Sequence, residues 1–273
     1  EKTMKILIIG GVAAGTKTAA KLKREDRSAE VTVITKDRDI SYAGCGLPYY
    51  VGGLIENREE LIVNTPAKYA GLTGVEVKTG KEAIALCADK KEVIVKDVET
   101  GAEEAYGYDK LVLTVGASPA KLPIEGTDLS GVFQMRTPDD AENIRSYVEE
   151  NQVKKAVVIG AGFIGLEVAE NLKAKGVQVT VIDFASQILP NIVDAEVAVY
   201  AKKHLLKEGI RVITGTKADA IMGNDHVTGV KTSAGLLRCE LLIMAAGIRP
   251  NTDFLQDSGL EMFKGTILVD KTM

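Results

Sequence analysis

Two glycine turns, about 150 residues apart, constrain this chain more than any other feature of it. Lys5 to Ile9 is a short apolar run that enters Gly10-Gly11-Val12-Ala13-Ala14-Gly15. A helical stretch from Thr16 to Arg24 follows, with small residues on its packing side and lysines outward, and then a second apolar run, Val31 to Thr35. The same grammar returns as Ala156 to Ile159, Gly160-Ala161-Gly162-Phe163-Ile164-Gly165, a helix over Leu166 to Lys175 stopped by Gly176, and Val177 to Ile182. Each copy reads as a β-α-β unit with glycines at its first turn, the sequence form of a dinucleotide site. One glycine permits the tight turn, one lets backbone approach a pyrophosphate, and one lets helix and strand pack closely. The helix amino end then faces the phosphates with unpaired N–H groups and partial positive charge. A single such turn is weak evidence, since glycine-rich turns also join ordinary strands and helices. Two copies, each followed by a strand at the right distance, are not.

The copies differ at two positions. Gly160, Gly162 and Gly165 complete the full G-x-G-x-x-G pattern, whereas the first turn has Val12 at its middle position. Asp183 closes the second copy's Val179-Thr180-Val181-Ile182 and can accept hydrogen bonds from both ribose hydroxyls; its plainer reading is a solvated aspartate at a strand end. A 2′-phosphate there would be repelled, and no Lys or Arg stands between Asp183 and Lys202 to receive one, so the second site reads as NADH rather than NADPH. The first copy has Thr35 in that place, followed by Lys36, Asp37 and Arg38.

Further paired segments support the duplication. Tyr108 to Pro119 is a buried strand ending in a glycine turn and a proline, and Leu241 to Asn251 repeats the design. Both sit where a chain would cross between domains, and proline stiffens each exit. Alternating strands are expected before each, over Val75 to Val98 and Ala218 to Thr232, with hairpin turns at Glu99-Thr100-Gly101 and Gly223-Asn224-Asp225. Thr137-Pro138-Asp139-Asp140 is a helix start, with a hydroxyl cap, Pro at the first helical position and acids in the first turn. An amphipathic helix is expected from Asp194 until Gly209. The fold expected is therefore α/β, with two Rossmann-like, three-layer dinucleotide-binding domains, each carrying a small antiparallel β-meander.

Composition narrows the function classes. A length of 273 residues suits about two domains. A net charge of −4 argues against a general nucleic-acid binder, and no apolar run approaches the ~20 residues of a membrane span. Glu1-Lys2-Thr3-Met4 runs straight into the first strand without a secretory leader, and Cys45, Cys87 and Cys239 show no paired spacing, so a cytoplasmic protein is expected. Cys87 and Cys239 read as small buried residues. His204 and His226 read structurally, with no partners at metal spacing, so no metal is expected.

One segment, Ser41-Tyr42-Ala43-Gly44-Cys45-Gly46-Leu47-Pro48-Tyr49-Tyr50-Val51-Gly52-Gly53, is required by neither copy. A cysteine between two glycines near a helix start could be a reactive thiolate, or an isolated small hydrophobe. With the Gly10–Gly15 turn, Thr114-Val115-Gly116-Ala117, the Gly160–Glu167 turn and Gly247–Asn251, this segment resembles the FAD-dependent pyridine nucleotide–disulfide oxidoreductases. Within them it is most similar to the single-cysteine branch of coenzyme A-disulfide reductases, CoA-linked persulfide or polysulfide reductases, and NADH oxidases and peroxidases. Dithiol members carry a second cysteine five residues on, where this chain has Tyr50. Many relatives carry Asn before the redox cysteine, where this chain has Gly44.

The resemblance implies FAD in the first unit and NADH in the second. Domains would run over 1–116 (first part of the FAD domain), 117–245 (NAD domain) and 246–273 (return to the FAD domain). Cofactor contacts would come from Gly10, Val12, Ala13, Ala14, Gly15, Thr35, Lys36, Ser41, Ala83, Thr114 and Gly116, and from Gly160, Gly162, Phe163, Ile164, Gly165, Asp183 and Gly247. Coenzyme A, as a further ligand, would meet Lys21, Arg24, Ser41 and Lys68; three cations suit its phosphates, and the plainer reading of them is a solvated face. Cys45 would store an oxidised equivalent as a sulfenic acid or a mixed disulfide. Phe163 would cover the nicotinamide pocket and Glu167 lie near the reacting rings, with a packed core aromatic as the plainer reading of Phe163.

The expected activity passes electrons from NADH through flavin to Cys45, which reduces a CoA disulfide, a persulfide or a polysulfide. An NADH oxidase or peroxidase working through a cysteine sulfenic acid is the alternative, and a nucleotide-binding module without turnover is the rival of another class. Partners would be such small acceptors, without nucleic acid or membrane. Relatives continue past Met273 into a flavin-contacting segment and a dimerisation domain, which implies a homodimeric longer form and weak FAD binding with little turnover in the chain alone.

Overall fold

Lys5–Ile9 forms strand β1, whose alternating side chains explain the layers around it. Ile6 and Ile8 pack on one side with Ala19 and Tyr69, from helices α1 (Ala13–Glu25) and α3 (Pro66–Thr73). Leu7 and Ile9 pack on the other with Leu86, Val93 and Val95. This period of two buries both faces of the strand, as expected of a parallel sheet covered on both sides. The sheet runs β3 (Glu76–Lys78), β2 (Glu30–Ile34), β1, β7 (Lys110–Leu113), all parallel, with Lys5 opposite Glu30 and Ile6 opposite Lys110. The layer beyond is an antiparallel meander, β4 (Lys81–Cys87), β5 (Glu92–Asp97) and β6 (Glu103–Gly107). At its hairpin the Asp97 carboxylate accepts from Lys81 (2.8 Å) and from the N–H groups of Glu99 (3.0 Å) and Thr100 (2.8 Å), which hold its carboxyl well below the usual range.

The structure, a computed structural model that describes residues 3–190 and 192–273, divides the chain into two units. The first comprises the residues up to Ala43, Ile62–Ser118 and Arg249–Met273; the second comprises Gly44–Leu61 and Pro119–Ile248. Among the described residues no helix is long and apolar enough to cross a membrane.

The second unit repeats the plan. Beyond the short strand β8 (Ala117–Pro119), its parallel sheet runs β12 (Arg211–Ile213), β11 (Gln178–Ile182), β10 (Lys155–Ile159), β16 (Leu241–Met244), β9 (Val132–Phe133). Its meander is β13 (Ala218–Gly223), β14 (Val227–Thr232) and β15 (Gly235–Arg238), packed through Ile221 and Val230 on Val157 and Ile159. Helix α4 (Pro138–Glu150) starts with a reciprocal cap: Thr137 Oγ1 accepts from the Asp140 N–H (3.2 Å), and the Asp140 carboxylate accepts from the Thr137 N–H (2.8 Å). Helices α5 (Phe163–Ala174) and α6 (Ala195–Lys207) complete it.

Several expectations need correction. Both nucleotide helices begin inside the glycine motif, at Ala13 and Phe163 rather than Thr16 and Leu166, because the turn itself adopts the first helical residues. The run from Val75 contributes β3 to the parallel sheet before the meander starts at Lys81. Helix α6 has one inward face, with Ala198 buried and Ala201 and Leu205 half-buried, as an amphipathic helix should, although Val197, Val199, Tyr200 and Leu206 stay exposed. Cys87, at the end of β4, is half-buried rather than buried. Residues 44–61 pack in the second unit, where Arg58 reaches Asp139 (2.5 Å) and Glu142 (3.1 Å) of α4. Helix α2 (Leu47–Gly52) lies in that segment.

Candidate nucleotide sites and an exposed thiol

In the first unit the turn after β1 sits at the carboxyl ends of parallel strands, where open α/β sheets bind ligands. Gly10 has φ +111°, and a Cβ there would strike the Thr114 carbonyl; a Cβ on Gly15 would strike the Gly10 carbonyl. Thr114 Oγ1 donates to the carbonyls of Ile9 (2.9 Å) and Gly10 (3.1 Å), fastening the turn to the end of β7. Helix α1 has no side-chain cap at Val12 and no acid in its first turn, and Ala13 and Ala14 are exposed. The Thr16 hydroxyl turns back onto the Val12 carbonyl. Its amino-terminal N–H groups therefore lack a side-chain partner, the arrangement that receives an anion.

Around this turn, Thr35 is buried and packs its methyl toward Gly11, with its backbone held by Lys78 and Lys81 (both 3.0 Å). Lys36 does not reach inward; its ammonium pairs with Glu82 (2.9 Å) on the meander, beside half-buried Ala83. Ser41 holds φ +49°, which costs roughly 1–2 kcal/mol in a residue with a Cβ. Its N–H donates to the Gly11 carbonyl and its own carbonyl accepts from Val63 (both 3.0 Å), so the turn and the strained residue are joined directly. Gly116 is exposed at φ +63°. Asn251 was no expected site residue, yet its Nδ2 donates to the Val115 carbonyl (2.9 Å) and its Oδ1 accepts from Ser118 (2.7 Å). Its signal in the sequence was its place at the end of the Leu241–Asn251 repeat and of the Gly247–Asn251 segment.

The cations expected to meet coenzyme A fall on α1 and α3, which are brought together where the buried Tyr69 hydroxyl donates to the Thr16 carbonyl. Burial pushes the Tyr69 hydroxyl up, with the Ala20 backbone and then the Arg24 charge pulling the other way. Lys68 and Arg24 are exposed, whereas Lys21 is engaged by Glu25 (2.5 Å).

The second turn has nearly the same backbone. Gly160 has φ +110°, and Cβ atoms on Gly160 and Gly165 would strike the carbonyls of Ala245 and Gly160. Gly162, with φ −82° and ψ −176°, has nothing within 4 Å of where its Cβ would be. Helix α5 likewise lacks a side-chain cap and an acid in its first turn, in contrast to α4 with its reciprocal cap. Asp183 accepts from Ala161 N–H (2.6 Å) through Oδ2 and from Ala185 N–H (2.7 Å) through Oδ1. A carboxylate has about four acceptor sites, so two stay open to hydroxyls. Lys202 spends its ammonium on Thr214 (3.1 Å). Phe163 is 58% exposed and Ile164 is exposed beside it, which excludes a packed core role for the aromatic ring. Glu167 is half-buried one turn further along α5. Gly247 is exposed at φ +89° and accepts from Ala120 N–H (3.1 Å).

Cys45 is exposed in the short 3-10 turn Gly44–Gly46 that runs straight into α2. The buried Cys239 is its opposite: loss of water pushes that thiol up to about 12. His204 and His226 are exposed, and among the described residues no three side chains could together hold a metal ion.

Comparison with known proteins finds relatives along nearly the whole chain. The chain is 38% identical over 271 residues to an NADH oxidase of Methanocaldococcus jannaschii, covering 99% of this chain and 60% of that protein. It is 33% identical over 258 residues to a coenzyme A disulfide reductase of Staphylococcus aureus, covering 94% of this chain and 57% of that protein. A solved NAD-dependent persulfide reductase from A. fulgidus superposes with a TM-score of 0.93 at 37% identity, over 98% of this chain and half (50%) of that one. The chain thus spans about half to three fifths of the length of the relatives it matches. With the family pattern matched over residues 4–273, on top of two uncapped glycine turns and an exposed thiol, the chain belongs to the pyridine nucleotide–disulphide oxidoreductases.

Proposed function

We propose that this chain acts as an FAD-dependent NADH oxidoreductase whose working thiol is Cys45 and whose acceptor is a CoA disulfide, a persulfide or a polysulfide. The observation that carries the reading is an exposed thiol in the same unit as an uncapped nucleotide helix. Both turns fit a dinucleotide, because each forms a cradle that a Cβ on Gly10, Gly15, Gly160 or Gly165 would fill. FAD would be held by the first turn, with Thr114 fixing its carbonyls and the N–H groups of α1 taking the pyrophosphate. NADH would be held by the second, with Gly162 leaving room for the pyrophosphate and Asp183 accepting from the ribose. When bound, the nicotinamide and the flavin supply two electrons at a time.

The chain's own residues do the rest. Exposed Phe163 shields the nicotinamide side of the site, and Glu167 stands one helical turn behind it. The Cys45 thiolate attacks one sulfur of the acceptor disulfide, forms a mixed disulfide and displaces one thiolate. Two electrons and one proton then break the mixed disulfide, restore the Cys45 thiolate and release the second thiol. Lys68 and Arg24 suit the phosphates of a coenzyme A acceptor. The similarity to a protein named NADH oxidase favours a second reading, with oxygen or peroxide as acceptor and a sulfenic acid at Cys45. NADH-dependent disulfide reduction by parent and Cys45→Ser chains tests the proposal. A fall of at least a hundredfold is expected on losing the nucleophile; full turnover by the variant would end the proposal. An intact-mass increase matching coenzyme A on Cys45 would separate the two acceptor classes.

A further inference from the structure

We propose that Arg145 is a positioning residue for Cys45; this rests on the reading of Cys45 as the working thiol. Helix α2 has six residues, too few to be stable alone, so what packs around it sets where the preceding Gly44–Gly46 turn lies. Leu47, Pro48, Tyr50 and Val51 are buried, but neither end of α2 has a side-chain cap from its own segment. The carboxyl end has its own backbone closure, with Gly53 at φ +85° donating to Tyr50 (3.1 Å) and Leu54 to Tyr49 (2.9 Å), and it is fastened further from about a hundred residues away. Arg145, on α4, places Nη1 against the carbonyl oxygens of Tyr50 (3.4 Å), Ile55 (3.3 Å) and Glu56 (2.9 Å), and its guanidinium lies 4.7 Å from the centre of the Tyr50 ring. One side chain therefore holds both the end of the helix and the loop that leaves it.

A simpler account treats Arg145 as half of a helix-surface ion pair with Glu149 four residues on (3.3 Å), and such pairs contribute little. That account leaves the three carbonyls unexplained. Arginine suits the task because its planar guanidinium can lie along a ring while one arm of its fork reaches the carbonyls; lysine's compact ammonium on a flexible stem does not present both in one fixed geometry. The same network reaches the nucleotide helix. Glu149 also pairs with Lys175 at the end of α5, whose stem lies beside Gly53. Gly52 abuts the buried Asn171 of α5 so closely that a Cβ there would strike its amide. Thiol segment and nucleotide helix are thus held in one body, with Arg145 as the tie at the thiol end.

The test uses the whole chain in parent, Arg145→Gln, Arg145→Lys and Glu149→Gln forms. Arg145→Gln is expected to speed amide exchange at Gly53, Leu54 and Ile55 at least tenfold and iodoacetamide labelling of Cys45 at least threefold, leaving labelling of Cys87 within 1.5-fold. Arg145→Lys keeps the charge and the fold but not the fork, and is expected to repeat at least half of each change. Glu149→Gln removes the ion pairs to Arg145 and Lys175 but leaves the contacts of Arg145 with the three carbonyls, and is expected to leave Cys45 labelling within twofold. In NADH-dependent disulfide turnover, Arg145→Gln should lower kcat at least tenfold with KM for NADH within twofold. The proposal is overturned if Arg145→Gln leaves exchange and labelling at parent values, if lysine restores them fully, or if Glu149→Gln matches its effect. Exchange and labelling do not depend on redox chemistry, so a failure of Cys45 itself would show separately, as full turnover by Cys45→Ser.

Discussion

The two glycine turns share a backbone and differ in side chains. Gly10 and Gly160 stand at φ +111° and +110°, and each would drive a Cβ into the carbonyl that ends a neighbouring strand. Their helices both start without a side-chain cap. Yet Val12 faces Gly162 across the comparison, and buried Thr35 faces Asp183 with its two backbone donors. The shared part is what the fold requires to bring a helix amino end to a phosphate. The differing part decides which nucleotide is held, so substitutions there should change binding more than stability.

Gly162→Val makes the second turn imitate the first and should have the largest effect. With ordinary φ and ψ and open space around the Cβ position, the variant should keep its stability within about 0.5 kcal/mol. Its NADH affinity, measured by nicotinamide fluorescence, should fall by at least thirtyfold; parent affinity would show that no backbone approach to the pyrophosphate occurs there. Asp183→Ala comes next. It strands the Ala161 and Ala185 donors and removes the ribose acceptor, and about tenfold weaker NADH binding is expected, near 1.4 kcal/mol. Thr35→Ala, at the matching place in the first unit, loses a packed methyl and no such donors, and FAD binding should change less than threefold. Equal losses from Asp183→Ala and Thr35→Ala would erase the contrast between the units.

The glycine turns, the Thr137 cap and the Asp183 position were legible in the sequence because each is local: a few neighbouring residues carry the whole geometry. What stayed hidden depends on partners far along the chain. Nothing near Cys45 announces that Arg58 and Arg145 carry residues 44–61 into the second unit. Arg145 and Glu149 look like an ordinary solvated pair, and nothing local shows that Lys36, expected to contact the first cofactor, has Glu82 beside it.

The smallest expected effect concerns pH. Lys175, and then Arg145, hold the Glu149 carboxyl below its usual range in the second unit, as Lys81 holds Asp97 in the first. A depressed carboxylate stabilises the fold fully above its unfolded value, about 4.3 for glutamate, and ceases to as pH falls through the folded one. The thermal midpoint should therefore be flat with respect to these groups between about pH 6 and 8 and fall in acid. Glu149→Gln should lower the neutral midpoint slightly and shallow the acid limb. An unchanged acid limb in Glu149→Gln would remove this tie from the account.

The most direct measurement of two separate nucleotide sites is an anaerobic titration of the FAD-saturated chain with NADH, following flavin absorbance and retained FAD together. One NADH per chain should bind with the FAD still in place, and NADPH should bind at least tenfold more weakly. Displacement of FAD by NADH, or binding of only one of the two at saturation, would contradict the assignment of one nucleotide to each turn.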